Sequence, residues 1–132
     1  MNFPITQLAW KPQLQDNYDG IQSFIGSCCD GSIIRWNSFK TDKVEHIQLN
    51  DKNQYSSVGY SYSGRRFVLA GLLPQIEVYD EDRMKLVYTL SKDKEKHSNK
   101  LFTCKFFYES ENLLYSGGWD RHVKFWDVRG NK

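Results

Sequence analysis

Three aromatic positions, Trp36, Tyr79 and Trp126, constrain the fold of this chain more than any other feature of its sequence. They lie 43 residues (36 to 79) and 47 residues (79 to 126) apart, each in a short β-prone run. Three residues earlier the chain carries a β-branched residue each time: Ile33, Ile76 and Val123. The first apolar run of each segment aligns in the same way, through Trp10, Tyr60 and Phe106. A repeat of this length indicates copies of one small unit, each burying its apolar face against the next.

The runs between these positions predict short strands, because apolar residues alternate with small or polar ones and the runs end at turn-forming residues. In the first segment we predict strands over Ile5–Trp10, Ile21–Ser27, Ser32–Trp36 and Val44–Leu49. In the second we predict Tyr55–Tyr62, Phe67–Gly71, Gln75–Tyr79 and Leu86–Leu90. In the third we predict Leu101–Phe107, Leu113–Ser116 and His122–Trp126. No window holds an apolar face at helical spacing for three turns, so no helix is predicted.

Four strands per unit at a period of about 40–45 residues are typical of the blades of a β-propeller. The predicted fold class is all-β: a partial propeller of three consecutive four-stranded antiparallel blades, the last lacking its outer strand. We expect a single domain over residues 1–132, with blades at approximately 1–50, 51–91 and 92–132. Because a ring typically needs about 4–8 blades, three would leave sheet edges and apolar flanks exposed. We therefore expect the isolated chain to associate, with other proteins or missing propeller blades as its partners.

Composition narrows the class of protein. The formal net charge is +2 over 132 residues, which gives little support to nucleic-acid binding. No apolar run reaches the roughly 20 residues of a membrane-spanning helix, and the N-terminus lacks the pattern of a signal peptide. The three cysteines, two of them adjacent at Cys28 and Cys29, form no disulfide framework and fit a reducing compartment. We predict an intracellular, cytoplasmic protein with no membrane contact; cytoskeletal, ciliary and nuclear locations remain open.

The third segment carries the most specific motif. His97 precedes three apolar residues by four, seven and nine positions: Leu101, Cys104 and Phe106. The stretch Ser116–Asp120 reads SGGWD, and Val123–Asp127 reads VKFWD and ends in a Trp-Asp pair. With these residues the chain resembles the WD40 (WD-repeat) β-propeller family. The resemblance implies that His97, Ser116, Asp120 and Trp126 form one hydrogen-bonded set, in which the buried ring nitrogens find the partners they need.

The same four positions are less complete in the other two segments. The first segment keeps Asp30 and Trp36 as members of the structural set, but Gly26 stands where Ser116 aligns, and the histidine position falls at Met1. In the second segment the four positions hold Asp51, Leu69, Leu73 and Tyr79. We therefore expect the second blade to rely on apolar packing.

The sequence predicts no catalytic, metal or cofactor site. The Ser, His and Asp of the third segment could form a catalytic set, but the resemblance makes them structural, so we predict that the protein is not an enzyme and has no small-molecule substrate. The histidines and cysteines show no metal-ligand spacing such as C-x-x-C. Gly117-Gly118 lacks the following helix that a phosphate loop would use. Cys28 and Cys104 fall on core-facing positions and are predicted to be buried.

The resemblance implies an interaction scaffold, an adaptor platform for protein partners within a multiprotein complex. By the geometry of the family, six residues would lie on the face that binds partners: Trp119, Arg121, Lys100, Phe102, Cys29 and Leu72. Trp119 is the best single candidate, because Trp and Arg are enriched in interface hot spots. The alternative for Trp119 is packing over the adjacent blade. The alternative function is a nucleic-acid-associated, chromatin- or RNP-associated propeller that recognises basic or modified peptides.

Overall fold

A computed structural model gives the fold and describes residues 4–12, 22–39, 44–90, 101–119 and 121–130. These residues form eleven strands and a single-turn 3₁₀ segment, Val128–Gly130. Neighbouring strands pair in the antiparallel sense throughout the described ranges. No helix in these ranges is long and apolar enough to cross a membrane. The all-β prediction is confirmed.

The strands form three sheets in which spatial order follows chain order. Sheet 1 contains β1 (Ile5–Trp10), β2 (Ser23–Cys28), β3 (Ser32–Asn37) and β4 (Glu45–Gln48). Sheet 2 contains β5 (Tyr55–Tyr60), β6 (Arg66–Gly71), β7 (Ile76–Asp80) and β8 (Lys85–Leu90). Sheet 3 contains β9 (Leu101–Phe106), β10 (Leu113–Gly118) and β11 (Val123–Asp127). The described residues thus give four, four and three strands, as predicted, and the strands of each sheet fall within one expected blade.

The aligned positions of the repeat lie opposite one another across each sheet. In sheet 1, Trp10 pairs with Phe24, which pairs with Trp36. The corresponding row in sheet 2 is Tyr60, Phe67 and Tyr79. In sheet 3 the row is Phe106, Leu114 and Trp126. We call these three sets the cross-strand rows; their strand register is the same as the repeat alignment derived from the sequence.

Two apolar cores join the three sheets. The first lies between sheets 1 and 2, where the row of sheet 2 packs with Ile25 and Ile33. The second lies between sheets 2 and 3, where the row of sheet 3 packs against an aliphatic face of sheet 2: Val68, Ala70, Ile76, Val78 and Leu90. Burial of apolar area, at about 25 cal/mol per Å², is the main stabilising term at both junctions. Cys28 and Cys104 are both buried, as predicted.

The first strands of the three sheets, β1, β5 and β9, lie side by side and run in the same direction. Thr6 Oγ1 donates to the Tyr55 carbonyl at 2.9 Å, and Val58 N donates to Gln7 Oε1 at 3.0 Å. Between β5 and β9, Ser56 Oγ donates to the Leu101 carbonyl at 2.7 Å and Cys104 N donates to Ser57 Oγ at 3.1 Å. Because the strands share one direction, the turns after β2, β6 and β10 lie at one end of the molecule. We call this end the upper face and the opposite end the lower face.

Candidate functional site

An exposed aromatic pair, Trp119 and Phe102, lies on the upper face. Trp119 follows β10 and is 60% exposed; Phe102 lies on β9 and is 49% exposed. Their ring centroids are 5.4 Å apart with a tilt of 36° between the planes. The pair therefore presents a continuous aromatic surface to solvent while each ring restricts the motion of the other. Large exposed aromatic side chains at one spot are typical of interaction sites.

Hydrogen bonds to backbone carbonyls hold both segments that carry this pair. Ser56 of sheet 2 donates its hydroxyl to the carbonyl of Leu101, next to Phe102. The N–H of Arg121 donates to the Gly118 carbonyl at 3.2 Å and closes the turn that carries Trp119. Arg121 has a φ of 66°, a left-handed conformation that costs a non-glycine residue about 1 kcal/mol or more. The aromatic pair is thus presented by a defined turn and a strand.

The other predicted upper-face residues are distributed over separate parts of that face. Leu72, in the turn after β6, is 43% exposed. Cys29, after β2, is a half-buried free cysteine whose N–H donates to the Pro4 carbonyl at 3.3 Å. Arg121 is exposed two residues after Trp119. Lys100 lies outside the described residues. The structure therefore brings Trp119 and Phe102 into contact and places Leu72, Cys29 and Arg121 in three different turns.

Two members of the predicted structural set of the third segment are hydrogen-bonded. Trp126 Nε1 donates to Ser116 Oγ at 2.9 Å. Both side chains are buried, Ser116 with 1% exposure. His97 and Asp120 lie outside the described residues, so the set of four stays a prediction. A serine that is enclosed and engaged by an indole N–H is poorly presented to a substrate.

Sheet 1 has a different polar cluster at its upper end, which the sequence reading missed. The Asp30 carboxylate accepts hydrogen bonds from the backbone N–H and the hydroxyl of Ser32. His46 Nε2 lies 2.7 Å from Ser32 Oγ and 3.7 Å from Asp30 Oδ2. Trp36, on the same strand as Ser32, stacks on Phe24 with ring centroids 5.3 Å apart. In the sequence, His46 is the residue that could have indicated this cluster, but the pattern places it only in the fourth strand. Pairing of β3 with β4 brings it close to Ser32 and Asp30.

The second blade packs through apolar residues, as expected, and it also carries a buried polar network that the sequence did not predict. Glu77 on β7 is 1% exposed, and its carboxylate accepts four hydrogen bonds. Oε1 accepts from the hydroxyls of Tyr55 at 2.7 Å and Tyr79 at 2.8 Å. Oε2 accepts from Nδ2 of Asn53 at 2.8 Å and of Asn50 at 3.1 Å. A buried carboxylate needs such donors, and together they join the link after sheet 1 to the middle of sheet 2.

A lysine connects the three sheets where their first strands meet. Lys105 Nζ donates to the Val58 carbonyl at 2.6 Å and to Gln7 Oε1 at 2.8 Å. Gln7 belongs to sheet 1, Val58 to sheet 2 and Lys105 to sheet 3, so one ammonium group bonds across both junctions. Burial lowers the pKa of Lys105, because desolvation disfavours the charged form.

A second charged cluster joins sheets 1 and 2 at the lower face. Glu81 lies 3.8 Å from Lys11 Nζ and 3.9 Å from Arg35 Nη1. Burial raises the pKa of Glu81, and the charges of Arg35 and Lys11 oppose that shift without cancelling it. Between sheets 2 and 3 the Glu111 carboxylate accepts from the backbone N–H of Ser63 at 3.1 Å. Polar links at both junctions thus supplement the apolar cores and hold the sheets as one support for the upper face.

The described ranges contain no group of three or more His, Cys, Asp or Glu side chains placed to hold a metal ion. An open groove lies between sheets 1 and 2 beside Glu77, lined in part by Asn50, Tyr79, Met84 and Leu86. Glu77 is part of its lining, and each of its carboxylate oxygens already accepts two hydrogen bonds.

Comparison with known proteins identifies the fold. No protein-family profile matches the chain. The solved structures that are similar to it include those described as the crystal structure of RRP9 WD40 repeats and the structure of U3-55K. Each is 19% identical to this chain, and each match covers 100% of this chain with a TM-score of 0.76. The chain has the fold of WD40 propeller blades. It spans 38% of the length of each of these WD40 structures.

Proposed function

We propose that this chain is part of a WD40-type interaction scaffold that binds protein partners through the upper face, within a multiprotein complex in the cytoplasm. The observation that carries the proposal is the exposed contact between Trp119 and Phe102. Both rings lie outside the two apolar clusters that the described residues form. Aromatic side chains on a fixed support supply large contact area at a small cost in conformational entropy.

The exposed part of Trp119 sets the expected size of its contribution. A tryptophan side chain buries roughly 150–250 Å² when fully covered. With 60% of the residue open to solvent, a partner can cover much of that area. Truncation of such a residue at an interface centre typically costs about 2–4 kcal/mol, equivalent to roughly 30-fold to 1000-fold in affinity.

The test is a comparison of partner capture by three forms of the full chain: wild type, Trp119→Ala and Tyr108→Ala. Tyr108 is 89% exposed on the lower face, so Tyr108→Ala is the matched control for loss of an exposed aromatic ring. A partner retained by wild type and Tyr108→Ala but lost by Trp119→Ala supports the proposal, provided that the melting temperatures agree. A partner lost equally by both variants would count against the upper face. A partner released by nuclease treatment would favour the nucleic-acid alternative instead.

A further inference from the structure

Glu77 carries a buried negative charge that no cation among the described residues neutralises. Its side chain is 1% exposed, and its four hydrogen-bond donors, two tyrosine hydroxyls and two asparagine amides, have no formal charge. The ion pairs among the described residues involve other carboxylates: Asp30, Glu45, Glu81 and Asp127. Neutral donors solvate a carboxylate and leave its charge in place, whereas buried charges in proteins are usually paired with an opposite charge.

The open groove beside Glu77 brings this charge within reach of a ligand. The groove has a volume of about 340 Å³, and ligand pockets typically hold about 300–1,000 Å³. One wall is formed by the end of β4 and the link after it, and the other by β7 and β8. These are outer strands of two sheets that already pack on each other, so a further blade beyond sheet 1 or sheet 3 leaves the groove open.

The lining of the groove combines an apolar surface with hydrogen-bond acceptors. Leu49, Met84 and Leu86 supply the apolar surface, and Leu86 is 51% exposed. Gln48 lies at the edge of this surface, where its Nε2 donates to the Asp30 carbonyl at 3.0 Å. Since that bond uses the nitrogen of the amide, the Gln48 amide oxygen remains as an acceptor for a ligand.

Two further side chains add acceptor oxygens to the lining. Gln75 is half-buried and contributes a second amide. The hydroxyl of Tyr79 donates its hydrogen to Glu77 Oε1 at 2.8 Å, so the Tyr79 oxygen can accept from a ligand. Because the carboxylate polarises this hydroxyl, a cation bound at the Tyr79 oxygen is stabilised by the charge of Glu77 without a direct bond to it.

We propose that this groove binds a lysine or arginine side chain of a protein partner. The aliphatic stem packs on the apolar surface, as such stems commonly do, and the charged head donates to the oxygens of Gln48, Gln75 and Tyr79. Charge complementarity selects this occupant, since Glu77 repels an acidic side chain and a neutral one leaves its charge unbalanced. The groove lies between sheets 1 and 2, whereas the aromatic pair of the upper face belongs to sheet 3, so this site stands or falls separately from that pair.

The test uses Met84 as a reporter in the full chain. The chain has two methionines, Met1 and Met84, so labelling the methionine methyl groups with carbon-13 gives two NMR signals, which Met84→Leu assigns. The probes are four capped pentapeptides of alanine whose central residue is lysine, arginine, norleucine or glutamate. Titration to about 10 mM detects even the millimolar affinity of a single side chain.

We expect the lysine or the arginine peptide to shift the Met84 signal saturably, with an affinity at least about tenfold above that of the norleucine and glutamate peptides. The norleucine peptide keeps an aliphatic stem and lacks the charge, so this comparison isolates the charge. Equal effects of the norleucine peptide, or no saturable shift with either cationic peptide, would overturn the proposal.

A pair of variants places the binding in the groove. Gln75→Lys supplies an ammonium group from the chain itself, so the affinity for the cationic peptide should fall about tenfold or more. Gln22→Lys is the matched control, because it makes the same change of charge at an exposed residue outside the groove lining, and it should alter the affinity less than about twofold. An unchanged affinity in Gln75→Lys, or an equal loss in both variants, contradicts binding in the groove.

Discussion

Replacing Glu77 by Gln tests whether a buried carboxylate stabilises the junction of sheets 1 and 2. The substitution keeps the shape of the side chain and exchanges one acceptor oxygen for an NH₂ group. Of the four donors, the two tyrosine hydroxyls meet one oxygen and the two asparagine amides meet the other. The glutamine NH₂ would meet donors if it faced the two asparagine amides, so it should face the tyrosines, whose hydroxyl oxygens can accept from it but whose own hydrogens then lose their charged acceptor.

The magnitude follows from this count. A hydrogen bond to a charged group contributes about 1.5–3 kcal/mol and a neutral one about 0.5–1.5 kcal/mol, so each of the four bonds weakens by about 1 kcal/mol when the charge is removed. Removal of the charge also relieves part of the cost of its burial, which offsets some of the loss. We expect the free energy of unfolding to fall by about 3 kcal/mol in Glu77→Gln.

Urea unfolding monitored by circular dichroism measures the change. Glu45→Gln is the matched control, because the Glu45 side chain is 53% exposed and lies 3.9 Å from Arg35; it should cost less than about 0.5 kcal/mol. Tyr79→Phe should destabilise the wild type by about 1–2 kcal/mol and the Glu77→Gln variant by clearly less, since the two side chains share one bond. A free energy of unfolding for Glu77→Gln within about 0.5 kcal/mol of wild type would refute this reasoning.

Three further substitutions probe other polar contacts of the molecule. Ser116→Ala leaves the buried Trp126 indole N–H without its acceptor and should lower the free energy of unfolding by about 1–3 kcal/mol in urea titrations; no change would show that the bond is not structural. Lys105→Met removes two hydrogen bonds and also a charge whose burial is unfavourable. Because these effects oppose each other, we expect the free energy of unfolding to change by less than about 1 kcal/mol, and a loss above about 2 kcal/mol would contradict this balance. Because folding raises the pKa of Glu81, the native state binds the proton of this carboxyl group more tightly than the unfolded chain does. Proton binding therefore stabilises the native state at low pH, and this contribution is lost as the pH rises through the folded pKa. The unfolding free energy of wild type, relative to that of Glu81→Gln, should therefore rise as the pH falls from 7 toward 4.5. A fall over the same range would contradict a pKa of Glu81 raised by burial.

Much of the fold follows from sequence because the pattern is repeated three times. In runs this short, alternation of apolar and polar residues alone does not establish a strand. The alignment of Trp36, Tyr79 and Trp126, however, predicts which positions of the three segments correspond. The predicted strands differ from the observed ones by at most two residues at either end. The boundaries differ most where a turn residue can continue the strand, as at Gly117 and Gly118 in β10.

The polar clusters were less predictable, because they depend on contacts between segments. Glu77 sits in an apolar run, and alternation alone assigns no partner to it; its donors come from β5, β7 and the link after sheet 1. His46 and Lys105 likewise gain their roles only from pairing and packing across strands. At the candidate site, Trp119 is 60% exposed. Its contact with Phe102 could not be predicted, because it depends on how β9 approaches the turn after β10. The binding role of both residues stays a proposal.

The affinity of a purified partner for Trp119→Ala is the most direct test of the scaffold proposal. Titration calorimetry would compare wild type, Trp119→Ala and Tyr108→Ala at equal melting temperature. The proposal predicts a dissociation constant raised about 30-fold or more by Trp119→Ala and changed less than about twofold by Tyr108→Ala. Equal affinities for wild type and Trp119→Ala would contradict the assignment of the upper face as the binding surface.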